Sequence, residues 1–218
     1  MKKTIVFDFD GTVADTLPVC FYAFQQVFYK FDGLDLSEED ILSMFGPTEE
    51  AIIEQNLRNH PKVNDAISHY LKTYQEKHVE YVKPLFPLHE LLADIKKAGH
   101  QIAILTGKGR RSLEISLDQL GLHGLFDMLV SGDDVTRPKP DPQGLYIIMK
   151  ELGAKANDML MIGDSDADIE AGLRAKVQTV RVDWFLSSSP RRFQSQPDYV
   201  LTEVEKLREL INQLQISN

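Results

Sequence analysis

The chain has 218 residues, 43% hydrophobic and 26% charged, with 33 acidic against 24 basic side chains and a formal net charge of −9. This is ordinary for a globular protein large enough for one α/β domain carrying an insert. The acidic balance argues against nonspecific binding to nucleic acid or anionic membranes, and the single cysteine, Cys20, rules out an internal disulfide.

The first element is an apolar, partly β-branched run, Ile5-Val6-Phe7, which reads as a buried strand. It delivers Asp8 and Asp10, two residues apart and hence on one side of an extended chain, with Gly11 following where the chain turns away. Acids at the carboxyl end of a first parallel strand mark the crevice where open α/β sheets bind ligands.

After Asp15-Thr16 the period changes. Leu17, Cys20, Phe21, Phe24, Val27, Phe28 and Phe31 recur at three and four, predicting an amphipathic helix with Asp15 or Thr16 as its cap and Pro18 in its first turn. Ser37-Glu38-Glu39-Asp40 opens a short helix through Met44, and Thr48 starts another that His60-Pro61 ends. Ile67, Tyr70, Leu71, Tyr74, His78 and Tyr81 mark a long helix. The six histidines of the chain are scattered without zinc-like spacing and read as surface or packing residues. No strand is expected between 16 and 81.

Beyond Pro84 strands and helices alternate: a helix with Leu88, Leu91, Leu92 and Ile95, a strand at 101–105, a helix to Gly121, a strand at 128–130, and a helix with Leu145, Ile148 and Leu152. A strand at 159–162, a helix at 166–174, a strand at 177–182, a Ser/Pro-rich loop at 183–197, an edge strand at Tyr199-Val200 and a last helix with Val204, Leu207, Ile211 and Leu214 complete the chain. That alternation predicts a doubly wound parallel sheet of Rossmann-like α/β class. Residues 1–15 and 84–218 are expected to form this core domain, and 16–83 an inserted helical bundle, with hinges near 13–16 and 82–87.

Three further strand ends bring polar groups to the side of Asp8 and Asp10. Thr106-Gly107 offers a hydroxyl and backbone N–H groups for an anion. Lys139, in Arg137-Pro138-Lys139-Pro140, is a cation in a stiff loop. Gly163-Asp164-Ser165-Asp166-Ala167-Asp168 adds carboxylates. Acids from separate strand ends suit a hard, oxygen-liganded cation such as Mg²⁺. A carboxylate nucleophile, a neighbouring acid and base, and groups that neutralise equatorial oxygens suit phosphoryl transfer. Lys108, Arg110 and Arg111 stand at a helix start, where cations are unfavourable; facing an anionic ligand and lying solvated are equally compatible readings.

Asp8-Phe9-Asp10-Gly11-Thr12, Thr106, Lys139 with its flanking prolines, and Gly163 to Asp168 occur in the order and approximate spacing of the haloacid dehalogenase-like hydrolase superfamily, which this chain resembles over essentially its whole length. The insert after the first strand resembles the subgroup with phosphoglycolate phosphatases, a pyrophosphatase and β-phosphoglucomutase. The resemblance implies that Asp8 is the nucleophile and Asp10 the general acid and base. It also implies that Thr106 and the Gly107 amide bind the phosphoryl group and that Lys139 neutralises charge. Mg²⁺ would be held by Asp8, the Asp10 carbonyl and Asp164, with Asp168 behind them. Gly11, Gly46 and Lys108 complete the expected phosphate- and substrate-binding set. The Gly46-Pro47-Thr48-Glu49 turn, at the tip of the insert, is expected either to reach over the site or simply to connect two helices. Many phosphoglycolate phosphatases have Asn where this chain has Gly107, which keeps the amide but removes a side-chain contact.

The expectation is a Mg²⁺-dependent phosphatase acting on a small phosphorylated metabolite through an aspartyl phosphate, with a phosphomutase, an inorganic pyrophosphatase or a phospho-accepting regulatory module as rivals. It is expected to be a monomer or homodimer with no nucleic-acid or membrane partner. No apolar run approaches the ~20 residues of a membrane span. Met1-Lys2-Lys3 runs straight into a strand without a cleavage pattern, which places the expected protein in the cytoplasm.

Overall fold

The computed structural model describes residues 3–185 and 194–216. Its strands are β1 (Thr4–Phe7), β2 (Gln101–Leu105), β3 (Met128–Val130), β4 (Met159–Gly163), β5 (Gln178–Val182) and β6 (Tyr199–Leu201). They form one parallel six-stranded sheet in the order β3-β2-β1-β4-β5-β6. β1 is central and buried along its whole length. A strand covered on both faces has no solvent side to alternate with, which is why it reads as a continuous apolar run. Ile5 and Phe7 enter one core, while Val6 enters the other with Ala103, Leu105, Leu145, Ile148 and Met161.

Between β1 and β2 lie α1 (Leu17–Asp32), α2 (Glu38–Leu42), α3 (Glu49–Asn56), α4 (Val63–Tyr81) and α5 (Phe86–Lys97). The remaining helices are α6 (Arg110–Leu120), α7 (Gln143–Leu152), α8 (Asp166–Arg174) and α9 (Val204–Ile216). Helices α1 to α4 form the inserted bundle. Its centre is aromatic: Phe24 lies 4.6 Å from Tyr70 and 6.4 Å from Phe28, ring centre to ring centre. The bundle rests on the sheet domain through α4 and α6, where the Tyr74 hydroxyl and Ser116 Oγ share a 2.7 Å hydrogen bond. His78 Nε2 lies 3.0 Å from the same oxygen, and burial, with Lys108 nearby, pushes its pKa down to about 4, so it packs as a neutral ring. Among the described residues no helix is long and apolar enough to cross a membrane.

One local expectation changes. Thr16 occupies the cap position of α1 but does not cap it; its hydroxyl donates to Asp10 Oδ1 instead, because the turn after β1 brings that carboxylate within reach. The expected loop at 183–197 lies partly outside the described residues. At its start, the Trp184 indole N–H donates to the Thr12 carbonyl at 2.9 Å.

Phe28 is almost fully buried where α1 meets α4. Phe28→Ala is expected to cost about 3–5 kcal/mol, measured by thermal or urea unfolding; a loss under about 1 kcal/mol would contradict a tightly packed insert core.

Candidate active site

The sheet aims the site residues. The Asp8 N–H continues the ladder beyond β1, donating to the Ile162 carbonyl at 2.8 Å, and the Thr106 N–H does the same beyond β2, donating to Val130 at 2.9 Å. Both side chains therefore start from fixed backbone. Phe9 is fully buried, while Asp8 and Asp10 line the cavity at the carboxyl edge. The chain then reverses, with the Val13 N–H donating to the Phe9 carbonyl at 2.9 Å. Gly11 has φ +83, and a Cβ there would stand 2.5 Å from the Asp164 carboxylate. Glycine is required twice over, by backbone conformation and by the close approach of Asp164.

Lys139 ties the acids together. Its Nζ donates to Asp8 Oδ1 at 2.7 Å, Asp168 Oδ1 at 2.5 Å and the Leu105 carbonyl at 3.1 Å, which uses all three ammonium protons. Asp168 is held in turn: its Oδ2 accepts from the Ser165 N–H at 3.0 Å and the Ser165 hydroxyl at 2.5 Å. Gly163 leaves room for it, since a Cβ at that position would overlap Asp168. Burial acts to lower the Lys139 pKa, but Asp168 and Asp8 outweigh it and the net shift is upward. The opposite holds for Asp8. Burial raises its pKa well above the usual carboxylate range, Lys139 pulls against this, and Asp168 and Asp164 add repulsion.

Asp8, Asp164 and Asp168 are all buried, and one carboxylate oxygen from each lies within 4.8 Å of the others. Such crowding of like charge is costly without a cation among them. The donors are all oxygen, which fits Mg²⁺ and not a softer metal. Both oxygens of Asp168 are engaged, by Lys139 and Ser165. The Asp10 carboxylate is turned elsewhere: it accepts from Thr16 and lies 3.3 Å from Lys108 Nζ.

A cavity of about 400 Å³ opens above these groups, lined by Asp8, Asp10, Thr106, Gly107, Lys108, Lys139 and Asp164 from the sheet domain and by Gly46, Pro47 and Glu49 from the insert. Most of the residues singled out from sequence thus meet in one place; Gly11 and Asp168 stand behind the lining and support it. Lys108 reaches the cavity with its ammonium already paired, 2.8 Å from Glu49 Oε1. Arg110 and Arg111 do not line it, being paired with Asp134 and Glu50. Glu49 belongs to the Gly46-Pro47-Thr48-Glu49 turn, which here lines the cavity, but the sequence reading gives it no partner. An acid in the first turn of a helix is favourable wherever the helix points, so no local signal marks its partner. The Glu49 Oε2 accepts from the Gly109 N–H at 2.7 Å, so the insert caps α6 from outside. Cys20 also lines the cavity, and burial pushes its thiol up to about 12, which keeps it neutral.

Known proteins resemble this chain in sequence and in fold. Residues 5–182 match the family model of the haloacid dehalogenase-like hydrolases. Pyrophosphatase PpaX of Bacillus velezensis is 32% identical over 208 residues, covering 95% of this chain and 94% of its own. In solved structures, CbbY from Rhodobacter sphaeroides in complex with phosphate has the same fold, with TM-score 0.81, 22% identity and coverage of 95% and 96%. A subfamily IA hydrolase of the haloacid dehalogenase superfamily from Geobacter sulfurreducens matches with TM-score 0.70, 20% identity and coverage of 96% and 100%. The chain therefore belongs to the haloacid dehalogenase-like hydrolase family and is a hydrolytic enzyme.

Proposed function

We propose that this hydrolase is a Mg²⁺-dependent phosphatase that transfers the phosphoryl group of a small phosphomonoester to Asp8 and then to water. The observation that carries the reading is Lys139 bridging Asp8 and Asp168 at the floor of a cavity that also holds Asp10, Thr106, Gly107 and Asp164. A carboxylate buried beside a lysine, with a hydroxyl and a backbone amide at the end of the neighbouring strand, suits attack on phosphorus.

Each residue has a role in that reaction. An Asp8 oxygen forms a bond to phosphorus as the bond to the leaving oxygen breaks, and Asp10 gives its proton to that oxygen. Asp10 then takes a proton from water, whose oxygen displaces Asp8 and frees phosphate. Thr106 and the Gly107 N–H hold the equatorial oxygens, and Lys139 offsets their charge beside the nucleophile. Asp8, Asp164 and the Asp10 carbonyl would hold the Mg²⁺. The bound ion would supply positive charge against the phosphoryl oxygens, so that an anionic carboxylate can approach them. Residues 16–83 would act as a cap over the core formed by 1–15 and 84–218, excluding water from the first step.

A second reading, inorganic pyrophosphatase, is favoured by the name of the 32% identical Bacillus velezensis relative. It uses the same groups and differs in the leaving group.

Asp8→Asn is expected to lower kcat by about 10³-fold or more with the far-UV circular dichroism unchanged; near-wild-type turnover would remove Asp8 from the role of nucleophile. Exhaustive chelation is expected to stop phosphate release, and added Mg²⁺ to restore it. Turnover that persists after chelation would count against the metal.

A further inference from the structure

Beyond the phosphoryl-binding end, the cavity is walled by Leu17, Cys20, Phe24, Phe45, Pro47 and Ile52. Among the described residues that line it, the charged ones are the acids Asp8, Asp10, Glu49 and Asp164 and the lysines Lys108 and Lys139. Both lysines are committed. Lys139 is bound by Asp8, Asp168 and the Leu105 carbonyl. The Lys108 side chain has no exposure; its Nζ lies 2.8 Å from Glu49, 3.3 Å from Asp10 and 4.7 Å from the centre of the Tyr74 ring.

Glu49 is held just as firmly. Its Oε1 also accepts from the Ser112 hydroxyl at 2.7 Å, and its Oε2 from the Gly109 N–H at 2.7 Å. Turning it away would leave the buried Lys108 ammonium to Asp10 alone and two buried donors unpaired. The far end of the cavity is thus electrically balanced by a fixed pair that spans the insert and the sheet domain, set in an apolar wall.

A leaving group with its own negative charge needs an uncommitted cation there. The lining supplies none among the described residues, and Glu49 and Asp10 would oppose such a charge from two sides. An uncharged leaving group with an apolar face meets no such penalty. We propose that the Glu49–Lys108 pair sets the substrate class. It admits phosphomonoesters with an uncharged leaving group and rejects pyrophosphate and phosphorylated carboxylic acids, whose leaving groups are anions. This rests on the phosphatase reading above and decides between its two versions.

The test compares kcat/KM, with Mg²⁺, for phenyl phosphate and a hexose 1-phosphate against pyrophosphate and 2-phosphoglycolate. It uses the wild type, Glu49→Gln and Lys108→Met. A ratio of two substrates in one preparation is independent of the fraction folded, so a purely structural role for the pair leaves it unmoved. The wild type is expected to prefer at least one uncharged-leaving-group ester over both anionic compounds by about tenfold or more. Glu49→Gln keeps a hydrogen-bond acceptor but releases Lys108, and is expected to shift the ratio toward pyrophosphate by about tenfold. Lys108→Met breaks the same pair without freeing a cation and is expected to give no such shift. A wild type that favours pyrophosphate or 2-phosphoglycolate overturns the inference while leaving hydrolytic phosphoryl transfer intact. An unchanged ratio in Glu49→Gln, or an equal shift in Lys108→Met, also overturns it. No turnover of any of the four compounds by the wild type overturns both readings together.

Discussion

The Lys139 ammonium is the interaction on which the site depends. Three acids crowd the carboxyl edge of the sheet with one oxygen each inside 4.8 Å, a grouping whose mutual repulsion opposes folding. One buried cation, with each proton directed at a different acceptor, offsets part of it. It also fixes geometry. The Leu105 carbonyl belongs to β2, Asp8 follows β1 and Asp168 lies in α8, so a single side chain ties three elements to a common point. Gly163 and Gly11 are consequences of the same crowding. Each yields the space of a side chain so that a carboxylate can come close to the backbone.

The second buried lysine works between domains. Lys108 and Glu49 come from opposite sides of the boundary, and Glu49 accepts the Gly109 N–H at the start of α6 while Asp133 of the sheet domain accepts the next one, from Arg110. Arg111 and Glu50 repeat the pairing at the surface, 2.6 Å apart. An exposed pair of that kind contributes little to stability. The buried one differs, because each partner would lose its nearest counter-charge in a low-dielectric setting if the other moved. The insert is therefore registered on the core by charge at one point and by the α4–α6 packing, with its Tyr74–Ser116 hydrogen bond, at another.

Much of this was legible in the sequence where the signal is local. Each strand end carrying Asp8, Thr106 or Asp164 follows an uninterrupted apolar run, and alternation of strands and helices places such ends on one edge. Lys139 was marked by the prolines around it. What stayed hidden depends on contacts between distant segments. Thr16 looks like a helix cap, and a cap argument considers only the next few residues; the hydroxyl goes instead to Asp10, which the turn at Gly11 folds back toward it. Glu49 looks like a favourable first-turn acid, and its lysine lies 59 positions along the chain. Lys108, Arg110 and Arg111 looked misplaced at a helix start; each is matched to an acid, two of those acids coming from the insert and one from the loop after β3.

The lone tryptophan of the chain donates its indole N–H to the carbonyl of Thr12, in the first of the two connections between sheet and insert. Indole emission responds to the hydrogen bonding and polarity around the ring. Any rotation of the insert that alters the backbone at Thr12 changes both for this one fluorophore. The indole is thus an unlabelled optical probe of the backbone at Thr12, next to the connection from sheet to insert, free of background from other tryptophans.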